Sequence, residues 1–159
     1  MKTLVVYFSK FGNTQLVAKT IADHLVNQNG NGNKVRDEVR TIDCDKLDAT
    51  QFKNVDLVVM GTPTHNMNLP KVVSPIFKAL PKRCLKGVKY AVFDTSYEMN
   101  WFFNKFTAAK RLSQKLRKLG GKPVLPPQTF IVLDREGPLG DGELNRAVFW
   151  ADEIVNKMS

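Results

Sequence analysis

The stretch "TLVVYFSKFGNTQLVAKTIADHLV", Thr3 to Val26, decides the fold. Its first six residues are β-branched, aliphatic or aromatic and carry no charge, the pattern of a strand buried on both faces. From Asn13 onward Leu16, Val17, Ile21, Leu25 and Val26 recur at helical spacing, with Asn13 or Thr14 placed to cap the first turn. Between strand and helix lie only Ser9 to Gly12. A buried strand that turns through a short polar loop into an amphipathic helix is the first half of a βαβ unit.

The rest of the chain repeats that alternation. "NQNGNGN" ends the helix, and "KVRDEVRTI" alternates Val35, Asp37, Val39 and Thr41 as a half-exposed edge strand does. "DLVVMG", Asp56 to Gly61, reads as a second buried strand. Ser74 is placed to cap a helix that opens on Pro75 and carries Ile76, Phe77 and Leu80 on one face. "GVKYAVFD" is a third buried strand. A long helix within "NKFTAAKRLSQKLRKLGG" lines up Phe106, Ala109, Leu112, Leu116 and Leu119 and stops at Gly120 and Gly121. "TFIVL" is the last buried strand. After the turn-rich "DREGPLGDGE", Leu144, Ala147, Val148, Ala151, Ile154 and Val155 form a final amphipathic helix. Five strands separated by helices predict a doubly wound α/β fold, a mostly parallel five-stranded sheet with helices on both faces. A chain of 159 residues fits one such domain, residues 1–159, and leaves no room for a second.

Composition is that of a globular protein, 43% hydrophobic and 25% charged, and no apolar run reaches the length of a membrane span. The apolar start runs into a polar loop without a small-residue cleavage site, so it reads as a strand of an intracellular, cytoplasmic protein. Cys44 and Cys84 form no metal-like cluster with His24 and His65, which points to idle thiols and no metal site. The net charge of +9 is less ordinary. No acid occurs between Asp56 and Asp94, where Lys71, Lys78, Lys82, Arg83, Lys86 and Lys89 lie. None occurs from Met99 to Leu133 either, where Lys105, Lys110, Arg111, Lys115, Arg117, Lys118 and Lys122 lie.

In doubly wound sheets ligands bind beyond the carboxyl ends of the strands, where the winding reverses. That rule selects Ser9–Thr14, Thr62–Asn68 and Asp94–Trp101. The first loop offers the Ser9, Asn13 and Thr14 side chains, Gly12 for close approach, and the free N–H groups of a helix start, which suits a phosphate. It lacks the G-x-x-x-x-G-K-[ST] pattern of a nucleoside triphosphate loop. With Gly12 as its sole glycine it also lacks the G-x-G-x-x-G of a dinucleotide loop, so a single terminal phosphate fits best.

"VVYFSKFGNTQLVAKTI", Val5 to Ile21, resembles the flavodoxin signature: two aliphatics and an aromatic, then Ser9, Gly12, Thr14, Ala18 and Ile21 at the family's spacing. The resemblance implies the strand order 2-1-3-4-5 and a loop around the phosphate of flavin mononucleotide (FMN), formed by Ser9, Lys10, Phe11, Gly12, Asn13 and Thr14. Phe11 stands where many members carry a hydroxyl residue, and Lys10 brings charge in its place. "GTPTHNMNLP" and "FDTSYEMNW" fall where flavodoxins place their two flavin-flanking loops. This implies cofactor contacts from Thr62, Pro63, Thr64, His65, Asn66 and Met67, and from Asp94, Thr95, Ser96, Tyr97 and Trp101. Tyr97 is the first stacking candidate, Trp101 the second, with Met67 on the opposite face. "EGPLGDGELNRA" resembles the ending of small flavodoxin-like proteins, and the last strand lacks the insertion of long-chain members. Flavodoxins turn a first-loop peptide carbonyl toward the reduced ring, a turn that glycine makes easy. No glycine lies between Thr62 and Leu69, so a positive φ there costs about 1 kcal/mol and shifts one-electron potentials by tens of millivolts.

The function these features imply is an FMN-binding electron carrier between redox proteins. A small flavin-dependent oxidoreductase acting on a quinone is the alternative, and a flavin-free binding module sits poorly with an intact phosphate loop. No pair of residues stands out as catalytic acid and base. Flavodoxins are commonly acidic, whereas this chain is basic, so acidic docking surfaces are expected on its redox partners. The basic helices carry no interleaved aromatics, which argues against nucleic acid as the partner.

Overall fold

A computed structural model describes residues 1–27, 38–66, 68–98 and 107–159. The chain alternates β1 (Lys2–Tyr7), α1 (Asn13–Asn27), β2 (Glu38–Asp43), β3 (Leu57–Pro63), α2 (Val73–Ala79), β4 (Lys89–Tyr97), α3 (Ala108–Lys118), β5 (Lys122–Pro123), β6 (Gln128–Val132) and α4 (Glu143–Met158), with two 3₁₀ turns at Cys44–Lys46 and Ala49–Phe52. All pairings between these strands are parallel, in the order β2-β1-β3-β4-β5, with β6 also on β4. This is the doubly wound order expected.

The expected fifth strand is in two pieces. Pro126 and Pro127 lack the N–H that a ladder needs, so pairing with β4 stops after Pro123 and resumes at Gln128. The helix expected to open on Pro75 starts earlier, at Val73, where the Val73 amide reaches the Pro70 carbonyl (3.0 Å) and Val72 is already helical. Pro75 then takes the third position, still within the turn whose amides have no intrahelical acceptor. Residues 34–37 and Phe106 lie outside the described residues.

Alternation along the central strands feeds two cores. Leu4, Val6, Val58, Met60, Tyr90 and Val92 face α2 and α3, packing on Val73, Phe77, Leu112 and Leu116. Val5, Val59, Ala91 and Phe93 face α1 and α4, packing on Val17, Ile21, Leu25, Trp150 and Ile154. In α1 the buried stripe is Val17, Ala18, Ile21, Ala22 and Leu25, whereas Leu16 and Val26 are about half exposed (47% and 50%). Two alanines in that stripe let α1 sit close to the sheet and to α4. Phe93, Phe130 and Trp150 meet edge to face at 5.7–6.1 Å. A Cβ on Gly61 would stand 2.0 Å from the Phe93 ring, so the β3 glycine makes room for that cluster.

Candidate functional site

β1, β3 and β4 end side by side, and their loops wall one cleft. It is lined by Ser9, Lys10, Phe11, Asn13 and Thr14 from the first loop, Pro63 to Asn66 from the second, and Thr95 to Tyr97 from the third. Val132, the last residue of β6, and Arg135 beyond it complete the wall. Sequence reasoning missed those two. The signal was available, because the rule that selected loops at strand carboxyl ends applies equally to the segment after the last strand.

The first loop is held by its own atoms. The Ser9 hydroxyl accepts from the Gly12 amide (3.0 Å), and the first helical bond runs from the Leu16 amide to the Gly12 carbonyl (2.9 Å). The amides of Asn13, Thr14 and Gln15 therefore head the helix without an intrahelical acceptor, the arrangement that attracts an anion. Gly12 has φ +94° and an open Cβ position, so backbone conformation rather than close packing requires glycine here. Asn13 and Thr14 do not cap the helix as expected. The Asn13 amide group donates to the Glu136 carbonyl (3.0 Å), and the Thr14 and Thr95 hydroxyls share a buried hydrogen bond (2.8 Å). The start of α1 is thus tied to β4 and to the turn after β6. The Lys10 ammonium lies over the Phe11 ring, 5.1 Å from its centroid.

The second loop is a tight turn. His65 and Asn68 exchange backbone hydrogen bonds (2.9 and 2.8 Å), and between them Asn66 holds φ +47°. The positive φ expected in this glycine-free loop falls on asparagine, the residue that tolerates it best after glycine. The Thr64 amide donates to the Thr95 carbonyl (3.0 Å), which locks the second loop to the third. Partial burial pushes the His65 pKa below its ordinary value, and the charges of Lys10 and Arg135 push the same way. His65 is therefore neutral at pH 7, beside two cations.

Of the other predicted site residues, Thr62 and Asp94 lie buried behind the cleft wall, and Gly12 supports the loop from behind. Met67 and Trp101 lie outside the described residues. Asp94 is fully buried: its Oδ2 accepts from the Thr64 hydroxyl (2.9 Å) and the Ala109 amide (2.8 Å), and the Ala108 amide donates to the Thr64 hydroxyl (3.0 Å). Together Thr64 and Asp94 cap α3 from outside that helix. Asp94 Oδ1 has no hydrogen-bond partner among the described residues. Burial raises the Asp94 pKa despite the opposing Ala109 amide and the hydroxyls of Thr129, Thr64 and Thr107.

Tyr97 offers the cleft an aromatic face that is 42% exposed. The cleft therefore combines an anion-ready helix start with Lys10 and Arg135, a flat ring, and loop hydroxyls and amides. A protein-family model described as Flavodoxin matches residues 5–147.

The chain belongs to the flavodoxin family.

Flavodoxins are flavin-binding electron-transfer proteins, and the relatives agree with that membership. The flavodoxin of Maridesulfovibrio salexigens is 26% identical over 160 residues, with 99% of each chain covered. NADPH-dependent diflavin oxidoreductase 1 of Dictyostelium discoideum is 28% identical over 173 residues, covering 99% of this chain. The chain spans about a quarter (24%) of that longer protein. Among solved structures, oxidised Flavodoxin 2 from Bacillus cereus superposes with a TM-score of 0.77 at 20% identity, with 99% of each chain covered. As a flavodoxin, the chain carries its family's fold with a net charge of +9. Among the described residues no helix is long and apolar enough to cross a membrane, and no group of His, Cys, Asp and Glu could hold a metal ion. Burial, with Asp43 and Asp45 nearby, pushes the Cys44 thiol up to about 12, and burial also raises Cys84. Both thiols are protonated and unreactive at neutral pH.

Proposed function

We propose that this flavodoxin is a single domain, residues 1–159, that binds FMN in the cleft and carries electrons between redox proteins in the cytoplasm. The observation that carries the reading is the convergence of three loops, Ser9–Thr14, Pro63–Asn66 and Thr95–Tyr97, on one cleft with a cationic, amide-rich end. The Ser9 hydroxyl and the amides heading α1 hold the phosphate, with Lys10 supplying charge. Tyr97 stacks on the ring, and Thr64, Asn66 and Thr95 serve its polar edge. Thr62 and Asp94 act from behind the wall, while Met67 and Trp101 belong to the proposed set on the family resemblance alone. When bound, FMN supplies the one- and two-electron redox chemistry. The protein's part is to hold and orient it and to exclude water from its faces.

The longer diflavin relative is not a guide to activity, since the chain corresponds to a quarter of it. The partners proposed are redox proteins with acidic docking surfaces, complementary to the net charge of +9. The test is anaerobic mixing of the chemically reduced, flavin-loaded protein with a one-electron haem acceptor, beside a steady-state assay with NADPH and a quinone. A carrier reoxidises at a rate proportional to acceptor concentration and shows no steady-state turnover. Sustained quinone reduction by the chain alone would replace this reading with the small oxidoreductase.

A further inference from the structure

The helix α3 has its charge in a place that folding does not explain. Arg111, Lys115 and Lys118 follow at i, i+4 and i+7, so they share one face of the helix. With Gln114, Ser74 of α2 and Asn68 of the second loop, they line a shallow groove between α2 and α3. Like charges at this spacing destabilise a helix, and Arg111 stands in the first turn, where the macrodipole is already positive. Among the described residues none of the three joins an ion pair. The apolar stripe of α3, Ala109, Leu112 and Leu116, would be buried equally well beneath neutral side chains.

The rest of the molecule sharpens the contrast. Helices α2 and α3 carry no carboxylate, whereas α1 and α4, across the sheet, carry Asp23, Glu143, Asp152 and Glu153. Lys115 is steadied at the groove by the Phe77 ring, 5.7 Å from its ammonium. The groove's lining includes Asn68, whose paired backbone bonds to His65 close the turn that walls the cleft. Whatever occupies the groove therefore sits one turn away from the redox site.

We propose that this groove is the docking site for a carboxylate-rich segment of the acidic redox partner. Its place beside the redox site rests on the flavin reading above; its affinity for carboxylates does not. Three cations along one helix face match acidic residues on an extended or helical segment, and Ser74, Gln114 and Asn68 supply the polar rim that such interfaces share. A single-stranded nucleic acid would want an open aromatic platform, and the ring here, Phe77, is buried beneath Lys115.

The test is an NMR titration of the full, flavin-loaded chain with a deca-glutamate peptide, and in parallel with a ten-residue oligothymidine of similar charge. We expect peptide-induced shifts confined to Asn68, Ser74 and α3. The triple variant Arg111→Gln, Lys115→Gln, Lys118→Gln should weaken peptide binding about tenfold, as three exposed pairs would. The control Lys19→Gln, Lys53→Gln, Lys157→Gln removes the same net charge from other surfaces and should weaken it less than about twofold. Equal losses in the two triples, shifts spread over the whole surface, or tighter binding of the oligothymidine at the groove would each overturn the proposal. Because α3 reports binding with or without flavin, failure of the flavin reading would show separately, as loss of the flavin spectrum with the groove titration intact.

Discussion

Asn66, in the cleft wall, and Asp94, buried behind it, show how much depends on single residues. Asn66 holds φ +47° in the His65–Asn68 turn. An ordinary L residue there costs roughly 1 kcal/mol or more, while glycine removes that cost but adds about 0.4–1 kcal/mol of chain entropy to the unfolded state. The two terms nearly cancel for glycine and not for alanine. Urea unfolding of the flavin-free chain should therefore place Asn66→Gly within a few tenths of a kcal/mol of the parent and Asn66→Ala about 1 kcal/mol below it. Asp94 carries a raised pKa, so the folded chain holds its proton at pH values where the unfolded chain has released it. Stability contributed by the protonated form is complete below the ordinary carboxylate range and falls as pH rises toward the raised folded value. Asp94→Asn keeps an acceptor for Ala109 and Thr64 and has no proton to lose. Thermal melts from about pH 4 to pH 7 should show the parent losing ground to Asp94→Asn as pH rises. Parallel profiles would mean that Asp94 is comfortably ionised.

At the scale of elements, the critical joint is the end of β3. Gly61 lies flat under the Phe93 ring, which in turn meets Phe130 and Trp150. Gly61→Ala would drive a methyl into that ring, so a loss of about 3 kcal/mol is expected, the upper end of ordinary overpacking. The near-ultraviolet circular dichroism of the trio should weaken with it. Nothing in the sequence marks Gly61 for this role, because the ring it makes room for lies on a neighbouring strand. What the sequence does carry is periodicity and punctuation. The β1 run, the α3 stripe and the Gly120 stop were legible because each depends on residues within a few positions of one another. The break between β5 and β6 was written in Pro126 and Pro127 yet overlooked. The buried roles of Glu143 and Trp150 escaped notice because each is set by partners on other elements, the Ile131 amide donating to Glu143 (2.7 Å) and the Phe93 and Phe130 rings meeting Trp150. The site was legible as loops at strand ends, and the same rule reaches the wall that Val132 and Arg135 add at the carboxyl end of β6, although those two residues were overlooked.

For the whole molecule the governing quantity is charge. A net charge of +9, concentrated on the α2–α3 side, attracts acidic partners over distances that salt shortens to about 8–10 Å at physiological strength. Second-order rates of electron exchange with an acidic redox protein should fall steadily as salt is raised, and rates with a basic one should rise. Salt-independent exchange with both would show that the charge serves some other end. All of this presupposes the cofactor. The most direct test of the account is the identity and number of the flavin released from the protein purified without added cofactor, read by mass spectrometry and absorbance. One FMN per chain is the expected result. A chain that carries flavin adenine dinucleotide, or that takes up no flavin when FMN is supplied in excess, would contradict it.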